Sequence, residues 1–122
     1  MKLIRLVALA GAIVGIAVLA MGSTATGKGK TATVDVDDDF FSPTKLTIKE
    51  DKKVEWNWIT DQPHDVTKVS GPGKFFESGP LQGTGVLFSK TFKKPGKYEI
   101  FCSLHSEEGM RMKVKVEERK RN

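Results

Sequence analysis

Apolar and polar residues alternate in short runs along most of this 122-residue chain. Val34 and Val36 alternate with Thr33, Asp35 and Asp37; Leu46 and Ile48 flank Thr47; Val54, Trp56 and Trp58 alternate with Glu55 and Asn57. Later, Tyr98, Ile100 and Cys102 share one parity, and Met112, Val114 and Val116 alternate with Arg111, Lys113, Lys115 and Glu117. A period of two sends successive side chains to opposite faces, so each run predicts a half-buried strand. Turn chemistry separates the runs. Phe40-Phe41-Ser42-Pro43 bends the chain, Thr60 to Pro63 forms a turn, and Lys94 to Lys97 forms another. His64 to Val69 and Val86 to Phe92 read as further strands, while Gly71 to Gly85 is the least regular stretch, with Phe75 and Phe76 expected to anchor it in the core. No helical period competes after residue 31. Seven or so short strands in ~90 residues predict an all-β fold, an antiparallel Greek-key β-sandwich. Its expected core is Val36, Leu46, Ile48, Val54, Trp56, Phe88, Phe92, Tyr98, Ile100, Val114 and Val116. Each large apolar side chain buried there contributes about 1.5–3 kcal/mol, which a small domain with no disulfide needs.

The first residues follow a different rule. Lys2 and Arg5 precede a charge-free apolar run from Leu6 to Met21, and the small residues Gly22, Ser23 and Ala25 come next. That order predicts a secretory signal peptide over residues 1–23. A retained N-terminal anchor is the alternative, since ~17 apolar residues is near the lower limit for crossing a bilayer. No cysteine lies near the expected cut, which excludes a lipid-modified N-terminus there. The expected organisation is therefore residues 1–23 signal or anchor, 24–31 linker, 32–118 one domain and 119–122 a basic tail. Export places the domain in the periplasm or another extracytoplasmic space. A membrane is a partner only if the first segment is retained.

Export also changes what the single cysteine, Cys102, can mean. One thiol cannot form an internal disulfide, and an exposed one is a liability outside the cytoplasm. Cys102 is therefore buried and inert, a ligand, or paired between chains. Charge excludes less. Cutting near Ser23 leaves 18 Lys/Arg against 15 Asp/Glu, a mildly basic protein with Asp35, Asp37, Asp38 and Asp39 clustered near its start. Nucleic acid is a poor partner for such an exported domain, and a monomer is expected.

The chemistry concentrates between Tyr98 and Met112, in the run YEIFCSLHSEEGMRM. Cys102 ends one predicted strand, Met110 begins the next, and His105 lies on the loop between them. His64, the other histidine, follows a turn, so all four fall at one pole of a sandwich. Two imidazoles and a thiolate with a weak, long axial thioether are the donor set of a blue-copper electron-transfer site. Each residue also has an ordinary reading: a buried core cysteine, a loop histidine, a turn-capping histidine, a gap-filling methionine. Met112 is a second axial candidate, although its parity suits the core strand. A Cys/His nucleophile would need an orienting third group and a substrate pocket, and nothing in the chain supplies either. A structural zinc site would ordinarily use more cysteines.

These residues resemble those of the cupredoxins, and specifically the plastocyanin-like branch. Cys102-x-x-His105-x-x-x-x-Met110 is similar to the plastocyanin spacing, and Pro63-His64-Asp65-Val66 resembles that family's upstream histidine segment. Phe41-Ser42-Pro43, Leu46-Thr47-Ile48 and Val54-Glu55-Trp56 are similar to its lead-in, so the resemblance covers roughly residues 32–117. It implies a Greek-key sandwich, one type 1 copper ion, strong ligands His64, Cys102 and His105, and Met110 as the axial ligand. The chain departs from the pattern at Lys52-Lys53, at Asp65 in place of asparagine and at Leu104 in place of proline. No acidic docking patch of the plant type is recognisable.

The function these readings predict is an exported, non-enzymatic carrier of single electrons between extracytoplasmic redox proteins. A donor and an acceptor would dock transiently near His105, on a collar of Pro63, Leu104 and Gly109. Lys68, Lys74 and Lys97 would steer an acidic partner. Asp65 is expected to tie the His64 segment to the loop after Cys102. A copper carrier, scavenger or surface sensor using the same ligands is the competing reading.

Overall fold

In a computed structural model of the protein, residues 31–120 are described. The expected signal segment, most of the linker and the last two residues lie outside them. Among the described residues there is no helix, and eight strands form the whole framework. They are β1 (Ala32–Asp37), β2 (Phe40–Ser42), β3 (Lys45–Lys49), β4 (Lys52–Trp58), β5 (Thr67–Ser70), β6 (Gly85–Phe92), β7 (Gly96–Phe101) and β8 (Arg111–Glu117).

The alternation in sequence becomes alternation in burial. Val34 and Val36 on β1, Val54, Trp56 and Trp58 on β4, and Met112, Val114 and Val116 on β8 are buried, while the residues between them face outward. The strands form two four-stranded sheets, ordered β2-β1-β4-β6 and β3-β8-β7-β5, whose apolar faces meet. Aromatic rings fill the space between them. Trp56 packs against Phe88 and Phe92, and Phe92 meets Tyr98 of the opposite sheet edge-on at 4.9 Å.

The sandwich is as expected, but its sheets are mixed. β1 runs parallel to β4, and β3 runs parallel to β8. Alternation reports which face a side chain takes, not the direction of the neighbouring strand. The chain moves between sheets after β2 and again after β3, which returns β4 beside β1 in the same sense. Two packing expectations also change. Phe75 is exposed, and only Phe76 leans on the core. Phe88 is half-buried because β6 is an edge strand, and its register against β4 shifts between Trp56 and Asn57.

The topology places the chemistry. The antiparallel β7 and β8 pair Phe101 with Arg111, so the chain beyond them leaves as a loop at that end. β4 ends at Trp58 beside Val36, and Ile59 donates to the Val36 carbonyl at 3.0 Å, which delivers the segment before His64 to the end of β1.

Candidate metal centre

Cys102 continues the inward parity of β7 and is fully buried. Its amide donates to the Met110 carbonyl at 3.0 Å, closing the loop at its base. Inside it, the His105 amide donates to the Cys102 carbonyl at 3.2 Å, and the amides of Glu108 and Met110 return to the His105 carbonyl. Gly109, at a φ of 80°, takes a left-handed conformation that favours glycine just before the chain re-enters the core. Backbone hydrogen bonds thus link Cys102, His105 and Met110. Met110 is fully buried level with Cys102, whereas Met112 pairs with Ile100 one step further along the strands.

His64 arrives from the other side, held by the stretch that looked least regular in sequence. Its amide and carbonyl pair with Leu81 at 3.0 and 2.9 Å. Val66 then exchanges bonds with Ser78, whose hydroxyl accepts the Val66 amide at 2.8 Å and whose amide donates to the Val66 carbonyl. The expected strand from His64 is therefore an isolated bridge followed by β5, which starts at Thr67.

Asp65 joins the two halves, as anticipated from the sequence. Its amide approaches Cys102 Sγ at 3.4 Å, and its carboxylate accepts the Ser103 amide at 2.7 Å, the Ser103 hydroxyl, and the Thr67 hydroxyl at 3.1 Å.

Three donor atoms converge. His64 Nδ1 and His105 Nδ1 are 3.1 Å apart, and Cys102 Sγ lies 3.9 Å from the first and 3.5 Å from the second. A point equidistant from all three lies about 2 Å from each, within the usual metal–imidazole range and slightly short for a thiolate. Two imidazole nitrogens and a sulfur gathered this closely fit one borderline-soft metal ion. Burial pushes the Cys102 thiol up, opposed by the backbone amides of Asp65, Leu104 and His105. Burial, then His105, holds His64 below its ordinary value, against Asp38 and Asp39. A neutral imidazole is the form that ligates. His64 is closed off from solvent, while the His105 ring is 26% exposed.

The sequence reading missed Asp38, Asp39 and Thr60. The turn between β1 and β2 brings Asp38 and Asp39 to the outer edges of the two imidazoles, and Thr60 holds Asp38. The aspartate run was visible, but nothing local to it pointed to histidines so far along the chain.

Comparison with known proteins agrees with this geometry. Residues 28–117 match the family of copper-binding proteins described as plastocyanin/azurin. The chain is similar to chloroplastic plastocyanin of Silene latifolia subsp. alba, at 32% identity across 89% of this chain and 67% of the relative. It is also similar to amicyanin-alpha of Methylorubrum extorquens, at 33% identity across 63% of this chain and 64% of the relative. A structure of an amicyanin methionine-to-alanine mutant with Cu(I) superposes with a TM-score of 0.62 at 26% identity, covering 74% of this chain and 84% of that one. The fold and donor set define a cupredoxin, a small copper-binding electron carrier. Within that class, the chain belongs to the plastocyanin/azurin family of copper-binding proteins, and copper is its cofactor.

Proposed function

We propose that this cupredoxin carries one electron at a time between extracytoplasmic redox proteins through a type 1 copper site. His64, Cys102 and His105 are its strong ligands and Met110 its axial one. The observation that carries this reading is the triangle of Nδ1, Nδ1 and Sγ at 3.1, 3.5 and 3.9 Å. Met110 is preferred to Met112 because it is level with Cys102. Copper held there would supply a one-electron couple, with sulfur suiting Cu(I) and imidazole suiting both states. The chain's part is rigidity. The Asp65–Ser103 bonds and the Leu81 bridge hold the ligand segments in one arrangement, so little has to move when charge changes.

Electrons would enter and leave through the exposed edge of His105. Pro63, Leu104 and Gly109 stand exposed on the neighbouring loops, a small apolar rim suited to brief encounters. The steering expected from lysines changes. Lys68 is buried, with its Nζ donated to the carbonyls of Pro72, Gly73 and Lys74. Lys97 stands at the start of β7, the end away from Cys102. The loops around the candidate ligands instead expose Asp38, Asp39, Asp61, Glu107 and Glu108. Residues 31–120 carry 15 Lys/Arg and 15 Asp/Glu, so the domain is neutral overall while this end is acidic. A cationic partner is the better complement, with association slowed by salt. The N-terminal segment, residues 1–23, is the proposed export or anchoring element. No catalytic step is proposed.

The test is the visible and EPR spectrum of the chain with one equivalent of Cu(II). An intense thiolate-to-copper band with narrow hyperfine splitting, lost in Cys102→Ala, is expected. A colourless protein, or a spectrum indifferent to Cys102, overturns the reading. Rapid loss of that copper to a chelator would favour copper handling over electron transfer.

A further inference from the structure

The outer edges of both imidazoles face one turn. With the two Nδ1 atoms turned toward Cys102, each ring presents Nε2 on its far side. His64 Nε2 lies 3.8 Å from Asp38 Oδ1, and His105 Nε2 lies 4.0 Å from Asp39 Oδ1. His64 Nε2 is buried and has no hydrogen-bond partner among the described residues, so the Asp38 carboxylate is the group it faces.

The turn is ordered by its own side chains. Asp37 Oδ1 accepts the Asp38 amide at 2.8 Å, and Thr60 Oγ1, from the loop after β4, donates to Asp38 Oδ1 at 2.7 Å. Asp39 adopts a φ of 64°, a left-handed conformation that aspartate tolerates better than most residues. One carboxylate is thereby assigned to each ring.

We propose that Asp38 and Asp39 are positioning residues that bias the copper site toward its oxidised state. The inference rests on the ligand reading above. An imidazole that ligates through Nδ1 keeps its proton on Nε2, and a carboxylate beyond that proton strengthens the ring as a donor. The stronger donor and the added negative charge both favour the higher metal charge. The separations exceed hydrogen-bond length, so the influence is electrostatic and not a shared proton. Both carboxylates are 58% exposed, and water weakens them. Asp38 acts more strongly than Asp39, because its target ring is closed to solvent and the His105 ring is not.

The experiment is the reduction potential of the copper-loaded full chain and of Asp38→Asn, Asp39→Asn, the double variant, Asp38→Glu and Glu107→Gln. The Asn variants should raise the potential, Asp38→Asn more than Asp39→Asn. For the double variant the Cu(II)/Cu(I) ratio at a fixed ambient potential should fall about tenfold, a shift of 59 mV for one electron. Asp38→Glu keeps the charge and should stay nearer the unaltered chain. Glu107 is exposed on the ligand loop and makes no ion pair with either histidine or with any other described residue, so Glu107→Gln should move the potential less. Unmoved or lowered potentials, or a Glu107→Gln shift as large as that of Asp38→Asn, overturn the inference. If Asp38→Asn folds without taking up copper, uptake by Asp38→Glu supports the role of charge and its failure refutes it. A chain with no Cys102-dependent blue site sinks the ligand reading and this inference together. A blue site with unmoved potentials sinks only the inference.

Discussion

Asp65 and Ser103 are joined twice: the Asp65 carboxylate accepts both the backbone amide and the hydroxyl of Ser103. Those bonds tie the segment carrying His64 to the loop carrying His105. Asp65 is also buried, and its removal leaves the buried Thr67 hydroxyl as well as both Ser103 donors without this acceptor. Asp65→Ala is expected to cost about 3 kcal/mol in urea unfolding and to weaken copper binding. Asp65→Asn retains one acceptor and should cost less. Equal stability in all three proteins would show that Ser103 finds other partners.

Lys68 makes a second junction, distant from the ligands. Its ammonium reaches the carbonyls of Pro72, Gly73 and Lys74 at 2.5–3.2 Å and lies 5.5 Å from the centre of the Tyr98 ring. Lys68→Met keeps the stem and removes the donors. It should lower stability by about 2 kcal/mol and speed amide exchange around residues 71–76, with the copper spectrum unchanged.

Tyr98 is the chain's one tyrosine, so its titration can be followed by phenolate absorbance without interference. Burial raises it above the ordinary tyrosine value, and its hydroxyl donates to the Lys94 carbonyl at 2.6 Å. Above about pH 10 the unfolded chain has therefore lost a proton that the folded chain still holds. Stability should fall as pH rises past that point. Tyr98→Phe should remove this contribution while costing about 1 kcal/mol at neutral pH. A phenolate signal rising at the ordinary tyrosine pH in the folded protein would contradict the prediction.

Gly71 sits at a φ of 128°, and an added Cβ would meet the Tyr98 ring at 2.8 Å and the Lys97 carbonyl at 2.9 Å. The ring can shift, but the carbonyl belongs to β7 and cannot easily do so. Gly71→Ala should cost about 3 kcal/mol, close to what backbone strain alone reaches. Gly79→Ala provides the comparison, since its φ of 69° is also positive but no atom lies within 4 Å. It should lose clearly less.

What was legible in the sequence was local. Cys102, His105 and Met110 lie on one loop, where spacing alone brings them together, and Asp65 is next to a candidate ligand. The inward faces of β1, β4, β7 and β8 follow from alternation over five or more residues. The hidden features depend on contacts between distant segments. Neither the parallel pairing of β1 with β4 nor the approach of Asp38 to His64 leaves a periodic trace. Lys68 misled for a related reason. Lysines usually stand in water, and only the fold of residues 72–74 supplies the carbonyls that let this one be buried. Phe75 and Phe76 are adjacent, so a strand-like path turns just one of them inward.

The position of β8 between β3 and β7 has a consequence for how the protein is made. During synthesis the partners of the second sheet emerge first and wait with open edges. They cannot be bridged until Arg111 to Glu117 has left the ribosome. His64 is present early, but Cys102, His105 and Met110 arrive with this closing strand. The nascent chain is thus held back from both its final fold and its metal until synthesis reaches that point.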